Sequence, residues 1–133
     1  VLFESPLLHW ADKPESYLPQ PKVVRDFMSS LPTTWDETRL LSGYPGEWVV
    51  MARRSGNTWY IAGINGKDSQ QTLSFDTSFL PKGKYTLFID RPGYKGDLPA
   101  NNPKPWRIKS AKGRIPAKMT CLPRGGFVIV LQQ

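Results

Sequence analysis

Glu47-Trp-Val-Val-Met-Ala-Arg-Arg-Ser-Gly-Asn-Thr-Trp-Tyr-Ile-Ala-Gly-Ile-Asn65 decides the fold, because two apolar runs are joined there by a short polar link. Both runs are rich in β-branched and aromatic residues, and the link 54–57 has turn composition, so the stretch predicts a β-hairpin. Since side chains alternate between the two sides of a strand, both faces of this hairpin carry apolar residues. The rest of the chain must cover both faces.

The length and composition of the chain indicate one globular domain. It has 133 residues, 39% of them apolar and 12% aromatic, with thirteen prolines and eleven glycines that predict many turns and short elements. No apolar run approaches the roughly 20 residues needed to cross a bilayer, so we expect no membrane partner. A single cysteine, Cys121, and a single histidine exclude an internal disulfide and a Cys/His zinc site. Without an initiator Met, the chain is expected to be a mature form or an excised piece.

The net charge of +7 is concentrated in the later part of the chain. Residues 1–35 carry three basic and four acidic side chains, whereas residues 36–133 carry fifteen basic and seven acidic ones. Such an excess can attract phosphates. In the predicted strands, however, the basic residues alternate with apolar ones such as Ile108 and Met119, which is typical of a solvated face over a buried one. Nucleic acid is therefore the weakest of the partner hypotheses.

The order of predicted elements favours a mainly β fold. Val1-Leu2-Phe3 predicts the end of a buried strand, and 7–12 predicts a short helix. A second, amphipathic helix carries an apolar stripe and ends at Pro32. The stripe consists of Val23, Val24, Phe27, Met28 and Leu31. These elements cannot enclose a core of their own, so the stripe must pack on another part of the protein or on another chain, and self-association is expected.

From Thr33 onward the sequence predicts about eight short strands with turn signals between them. The predicted strands outside the hairpin are 35–41, 72–75, 85–90, 106–109, 117–122 and 127–131, with a turn at 43–46 and a proline-rich loop at 91–105. Strands at nearly regular spacing without intervening helices favour an antiparallel, Greek-key-like β-sandwich, with a barrel as the alternative.

Few residues offer catalytic or metal-binding chemistry. Ser5, His9 and Asp12 have the spacing of one helix face, whereas a catalytic triad normally draws its members from separate elements. Adjacent Asp36 and Glu37 could hold a cation, but such a pair more often caps a turn or pairs with a nearby arginine. Glu4, at a predicted strand end, is the only weak catalytic candidate, and Gly125-Gly126 predicts a turn.

The aromatic residues raise the alternative of a carbohydrate-binding module, since aromatic rings stack on sugars. Trp35, Trp48 and Trp59 lie in or beside predicted strands and are expected in the core. Trp106 and Tyr94 flank the loop at 91–105 and are the candidate contacts to an oligosaccharide.

Several motifs in register resemble one known family, over nearly the whole chain except about 90–118. They are Phe3-Glu4-Ser5-Pro6-Leu7, Pro32-Thr33-Thr34-Trp35-Asp36-Glu37-Thr38-Arg39, Ala52-Arg53-Arg54-Ser55-Gly56-Asn57-Thr58-Trp59-Tyr60, Ser78-Phe79-Leu80, Gly83-Lys84-Tyr85 and Gly125-Gly126-Phe127. This series resembles the C-terminal end of glycoside hydrolase family 97, the bacterial α-glucosidases and α-galactosidases.

The resemblance implies a division of the chain and a role for it. Residues 1–31 would match the last β/α unit of a catalytic (β/α)8 barrel, and residues 32–133 a C-terminal β-sandwich domain linked to oligomerisation. The family's calcium ligands and catalytic carboxylates lie mostly on earlier barrel strands, so no cofactor is expected in this chain. A glycosidase needs two carboxyl groups across the scissile bond, and this sequence offers no such pair.

The leading hypothesis is therefore a non-catalytic accessory and oligomerisation domain of a family 97 glycosidase. Its expected partners are the rest of the parent enzyme and a second copy, through Val23, Phe27, Met28 and Leu31. The resemblance also implies a periplasmic or secreted bacterial protein.

Overall fold

The computed structural model describes residues 1–2, 13–20, 22–90 and 106–132. Within these ranges the chain forms two helices and eight strands. The helices are α1 (Pro14–Tyr17) and α2 (Lys22–Ser29), and the strands are β1 (Glu37–Tyr44), β2 (Trp48–Ser55), β3 (Thr58–Asn65), β4 (Gln71–Ser74), β5 (Gly83–Asp90), β6 (Trp106–Gly113), β7 (Lys118–Cys121) and β8 (Gly126–Gln132). The predicted helix at 7–12 and the predicted loop at 91–105 lie outside the described residues.

The strands form two antiparallel sheets. Six strands form one sheet in the order β1-β2-β3-β8-β5-β6, and β4 pairs with β7 in a second sheet. The chain passes between the sheets twice, since β4 interrupts the path from β3 to β5 and β7 interrupts the path from β6 to β8. The predicted mainly β, antiparallel sandwich is confirmed.

The hairpin that decides the fold is β2 and β3. Ser55 pairs with Thr58, so Gly56 and Asn57 form a two-residue turn. Gly56 has a φ of 56°, which an L side chain rarely adopts and glycine adopts without penalty. The predicted turn and the predicted alternation of side chains are confirmed.

One face of the six-stranded sheet, here called the inner face, is closed by the β4–β7 sheet. Val50, Ala52 and Ile61 from the hairpin are buried there. The core also contains Trp59, Leu73, Phe75, Leu80, Leu87, Ile89, Ile115, Met119, Cys121, Phe127, Ile129 and Leu131. Because β7 alternates exposed and buried side chains, its lysine points to solvent while Met119 and Cys121 point inward. The predicted solvated basic face is confirmed on this strand.

The opposite face of the same sheet, here called the outer face, is also apolar. Tyr60, Ala62 and Phe88 are buried on it although β4 and β7 lie on the other side. Segments from the start of the chain lie over these residues, as the next section describes. The prediction that both faces of the hairpin need a cover is confirmed.

The first strand differs from its prediction in both position and shape. It spans Glu37–Tyr44 rather than 35–41, because Gly43 and Tyr44 continue the ladder opposite Val49 and Trp48. The turn is correspondingly shorter and depends on Gly46, which has a φ of 76°. The pairing register shifts between Leu40 and Ser42, so β1 contains a bulge. Strand β6 is also longer than predicted.

Asn65 joins two loops at one end of the sandwich and is fully buried. Its Nδ2 donates to the backbone oxygens of Ser69 at 2.7 Å and Leu122 at 2.8 Å. Its Oδ1 accepts from the backbone N–H of Lys67 at 2.9 Å and from the side-chain amide of Gln71. With every polar atom of the side chain satisfied, this network fixes the loop after β3 against the loop before β8.

Gly63 gives a direct test of the inner-face packing. It lies opposite Phe127, and a Cβ at this position would collide with the Phe127 ring, which is itself buried and stacked on Phe75 at 5.6 Å. We expect Gly63→Ala to lower the free energy of unfolding by roughly 1–3 kcal/mol, because overpacking a close-packed core forces side chains and backbone apart.

The matched control is Gly43→Ala. A Cβ there meets its nearest atom at an ordinary 3.4 Å, and the position is exposed. Chemical denaturation followed by tryptophan fluorescence should show a stability close to that of the wild type. Equal effects of the two substitutions would contradict the packing described for Gly63.

Candidate functional site

Helix α2 supplies one part of the cover over the outer face. The ring of Phe27 stacks on Phe88 of β5 with centroids 5.0 Å apart, and Val24 is buried. Met28 and Leu31 are half-buried, whereas Val23 is 40% exposed. Part of the predicted apolar stripe is therefore placed on the sandwich, and Val23 remains available to another partner.

Arg53 organises a second part of this cover. Its side chain is buried on the outer face, where Nη2 donates to the backbone oxygen of Leu2 at 3.3 Å. The guanidinium lies 5.6 Å from the centre of the Trp35 ring, which in turn packs edge-on against Tyr60. The beginning of the chain is thus fixed over the centre of the sheet.

Two shallow grooves remain on this side of the sheet. The central groove, with a volume of about 390 Å³, is lined by Val1, Leu2, residues 62–64 of β3 and residues 124–128. The corner groove, of about 410 Å³, lies at the ends of β1, β2 and β3. It is lined by Leu40, Gly43, Tyr44, Pro45, Gly46, Glu47, Trp48, Val49, Ile64 and Gly66. Ile64 lines both grooves, so they are neighbours on one surface.

Asp36 and Glu37 form ion pairs at the start of β1. Asp36 accepts from the backbone N–H of Gly56 at 2.7 Å and lies 3.4 Å from Arg54. Glu37 pairs with Arg39 at 2.5 Å and with Arg54 at 3.5 Å. Both arginines also lie near the Trp59 ring, at 5.9 and 6.0 Å. The two carboxylates therefore join the first strand to the hairpin turn, in agreement with the turn-capping interpretation of the sequence.

Three more of the described carboxylates have a lysine or arginine partner at the surface. Glu47 pairs with Lys67, Asp68 with Arg124, and Asp26 with Lys22. Hydrogen bonds and opposite charges lower the pKa values of Glu37 and Asp68, and hydrogen bonds from Ser78 lower that of Asp76. A glycosidase acid needs a raised pKa, so these three groups are suited to ion pairing and not to proton donation.

Several sequence candidates fall outside the described residues. These are Glu4, the Ser5, His9 and Asp12 series, and Tyr94. Trp106 begins β6 directly after residues 91–105, which are not described, and the oligosaccharide contact predicted for it stays a prediction. In the described ranges, no three His, Cys, Asp or Glu side chains come together as metal ligands. The described helices are also too short to cross a membrane.

The remaining tryptophans have structural roles. Trp59 is buried in the core, and Trp48 packs against it while its indole N–H donates to Ser42 at 2.9 Å. Trp35 packs edge-on against Tyr60 on the outer face, 5.6 Å from the Arg53 guanidinium. The sequence did not identify the exposed residues of the corner groove, among them Leu40 and Tyr44. Alternation alone places Ile64 on the outer face, but only the strand order shows that β1 lies at the edge.

A family model described as "Glycosyl-hydrolase 97 C-terminal, oligomerisation" matches residues 34–132. A retaining alpha-galactosidase from Bacteroides thetaiotaomicron is 41% identical over 92 residues, which cover 68% of this chain and 14% of that protein. A probable retaining alpha-galactosidase from Streptomyces bingchenggensis is 51% identical over 63 residues, which cover 47% of this chain and 10% of that protein.

Solved structures of similar proteins share the fold. A beta-arabinopyranosidase aligns over 97% of this chain and 19% of its own with a TM-score of 0.77 and 32% identity. A glycoside hydrolase family 97 enzyme from Pseudoalteromonas sp. strain K8, in complex with acarbose, aligns over 91% of this chain and 19% of its own, with a TM-score of 0.71 and 26% identity. This chain therefore spans less than one fifth of the length of these relatives.

The ion pairs of Glu37 predict a pH dependence of stability. Because its pKa is lowered in the folded protein, Glu37 stabilises the fold at a pH above its ordinary pKa of about 4.3 and loses this contribution as the pH falls through the lowered value. We expect the free energy of unfolding to fall less steeply between about pH 5 and pH 3 in Glu37→Gln than in the wild type. Urea denaturation at each pH measures the free energy of unfolding, with Glu15→Gln as the control. Identical pH dependences of this free energy in Glu37→Gln and the wild type would contradict the prediction.

Proposed function

Because this chain belongs to the glycosyl-hydrolase 97 C-terminal family, we propose that it is the accessory and assembly domain of a larger glycosidase that acts on α-galactosides or α-glucosides. The observation that supports this most directly is the outer face, an apolar sheet surface that the described N-terminal segments cover only in part. The alpha-galactosidases among the relatives favour α-galactosides.

The chain's own carboxylates support a non-catalytic role. Six of the described carboxylates, those of Asp26, Asp36, Glu37, Glu47, Asp68 and Asp76, bind arginine, lysine or backbone N–H groups at the surface. None of the carboxylate pKa shifts that are resolved is upward. Hydrolysis of a glycosidic bond requires one carboxylic acid and one carboxylate on opposite sides of that bond. We assign both groups, and any calcium with its ligands, to the catalytic part of the parent protein.

We propose that this catalytic part packs on the central groove. Val1 and Leu2 line it, so polypeptide on the N-terminal side of Val1 in the parent would start at this groove. Val128 is half-buried and lines this groove. We assign residues 1–31 to the last β/α unit of the catalytic barrel, an assignment supported by the beta-arabinopyranosidase alignment, which covers 97% of this chain and so extends beyond the family match at 34–132. We also propose a periplasmic or secreted location, as the family resemblance of the sequence implies.

An activity assay tests the non-catalytic role. The purified 133-residue chain should not hydrolyse p-nitrophenyl α-galactoside or α-glucoside, because the described residues supply no acid and base pair. The parent protein should hydrolyse at least one of them. Hydrolysis by the isolated chain that survives repurification and the substitution Glu4→Gln would contradict the proposal.

A substitution that places a charge in the central groove tests whether the catalytic part packs there. In the parent protein, Val128→Arg should bury an unpaired charge in the central groove, and we expect it to cost roughly 3 kcal/mol or more. Differential scanning calorimetry should show a lower Tm. Thr120→Arg, on the exposed side of β7, is the control, and both substitutions should leave the isolated chain folded. A parent whose Tm is insensitive to Val128→Arg would place the catalytic part elsewhere.

A further inference from the structure

The corner groove is a second uncovered surface, separate from the central groove. We propose that a second copy of this chain docks there, with Leu40 of each copy entering the groove of the other. This inference rests on the assembly role proposed above and adds to it the surface and the mode of contact.

Exposed apolar side chains cluster at this corner. Of the large apolar residues exposed in the described ranges, Leu40 is 67% exposed, Tyr44 60% and Ile64 39%. All three line the same groove, Leu40 and Ile64 from the outer face and Tyr44 from the end of β1, where its ring stacks on Trp48 with centroids 6.0 Å apart. Exposed apolar residues are common when isolated, whereas a contiguous patch marks a surface that another molecule covers.

The shape of the corner suits contact with a copy of itself. Gly43 and Val49 lie opposite each other on β1 and β2, and both line the corner groove, a recess of about 410 Å³. Leu40 lies at the border of this recess, where its Cδ1 would be 3.6 Å from a Cβ at Gly43, and its side chain is 67% exposed. A two-fold contact requires one patch to carry both a protrusion and a recess. The corner carries both.

The charge distribution favours this edge of the sheet over the other. On the opposite edge, β6 exposes Lys109 and Lys112 and leads to exposed Arg114, so two copies meeting there would repel. Among the residues lining the corner groove, Glu47 carries the only charge, and it pairs with Lys67 at 2.6 Å. In a two-fold contact, Glu47 of one copy can face Lys67 of the other, so the rim is complementary to itself.

The bulge in β1 decides how the copies meet. An edge strand with a regular ladder can add a strand from another chain, but a bulge disrupts the row of backbone groups. The register shift lies between Leu40 and Ser42, in the middle of β1. Contact through side chains in the groove is therefore favoured over continuous pairing of two β1 strands.

The position of the corner leaves room for the catalytic part as well. Val1 lies over β3 and β8, near the centre of the sheet, whereas Leu40 and Tyr44 belong to β1 at its edge. A catalytic part that sits on the central groove thus need not cover the edge. This separation is why a second copy, rather than the catalytic part, is the occupant that we propose.

Sedimentation equilibrium of the 133-residue chain and of the parent protein tests the proposal. The variants are Leu40→Asp, which places a charge on the protrusion, and Gly43→Leu, which fills the recess at a position without positive φ. We expect each to raise the dimer dissociation constant by roughly 30-fold or more. Leu18→Asp is the matched control, because Leu18 is 65% exposed on a different part of the chain. Circular dichroism checks that each variant is folded.

The outcomes separate this inference from the proposed function. A wild type that is monomeric in both forms, or a dimer that Leu40→Asp and Gly43→Leu leave intact, would overturn the corner interface. Dissociation by Val23→Asp but not by Leu40→Asp would assign the contact to α2 and likewise overturn it. If the parent is monomeric while Val128→Arg still lowers its Tm, the corner interface fails and the accessory role stands.

Discussion

The structure depends on one constraint, that the β2–β3 hairpin is apolar on both of its faces. Ile61 is fully buried on the inner face against Ile129, while Tyr60 and Ala62 are buried on the outer face of the same strand. A strand of this kind is stable only inside a layered structure, because each uncovered face would expose a row of apolar side chains. The inner face is closed by β4 and β7, and the outer face by segments that precede β1. The two covers differ in kind, since the inner one is a second sheet and the outer one consists of N-terminal segments that leave two grooves.

Local patterns predicted the strands and their faces because alternation is a property of neighbouring residues. The assignment of Val50 and Ala52 to one face of β2, and the turn at Gly56, required no knowledge of distant contacts. The bulge in β1 and the continuation of the strand through Gly43 could not be predicted, because they follow from the register with β2. Arg53 shows the same limit, since a strand arginine is usually solvated and this one is buried only because Leu2 and Trp35 lie over it.

The candidate site was predictable to a lesser extent than the fold. The lack of a catalytic carboxylate pair could be predicted from the residue types. The ion pair between Glu37 and Arg39 could be predicted from their spacing. The corner groove could not be predicted from the sequence. Leu40 and Ile64 are far apart in the chain and share one surface only because β1, β2 and β3 lie side by side at the edge of the sheet. Exposure at a sheet edge is set by the order of the strands, and that order depends on the insertion of β8 between β3 and β5.

The arrangement of charges and apolar surface explains how one sheet can serve two contacts. The chain carries a charge of +7, which opposes the approach of a second copy except where the surface is locally neutral. The corner groove meets this condition through the Glu47–Lys67 pair, while the central groove is bordered by Arg124, whose charge is paired with Asp68. Since the two grooves meet only at Ile64, covering one leaves most of the other accessible. A neighbouring domain of the same polypeptide and a second copy can then bind the same face without competing for it.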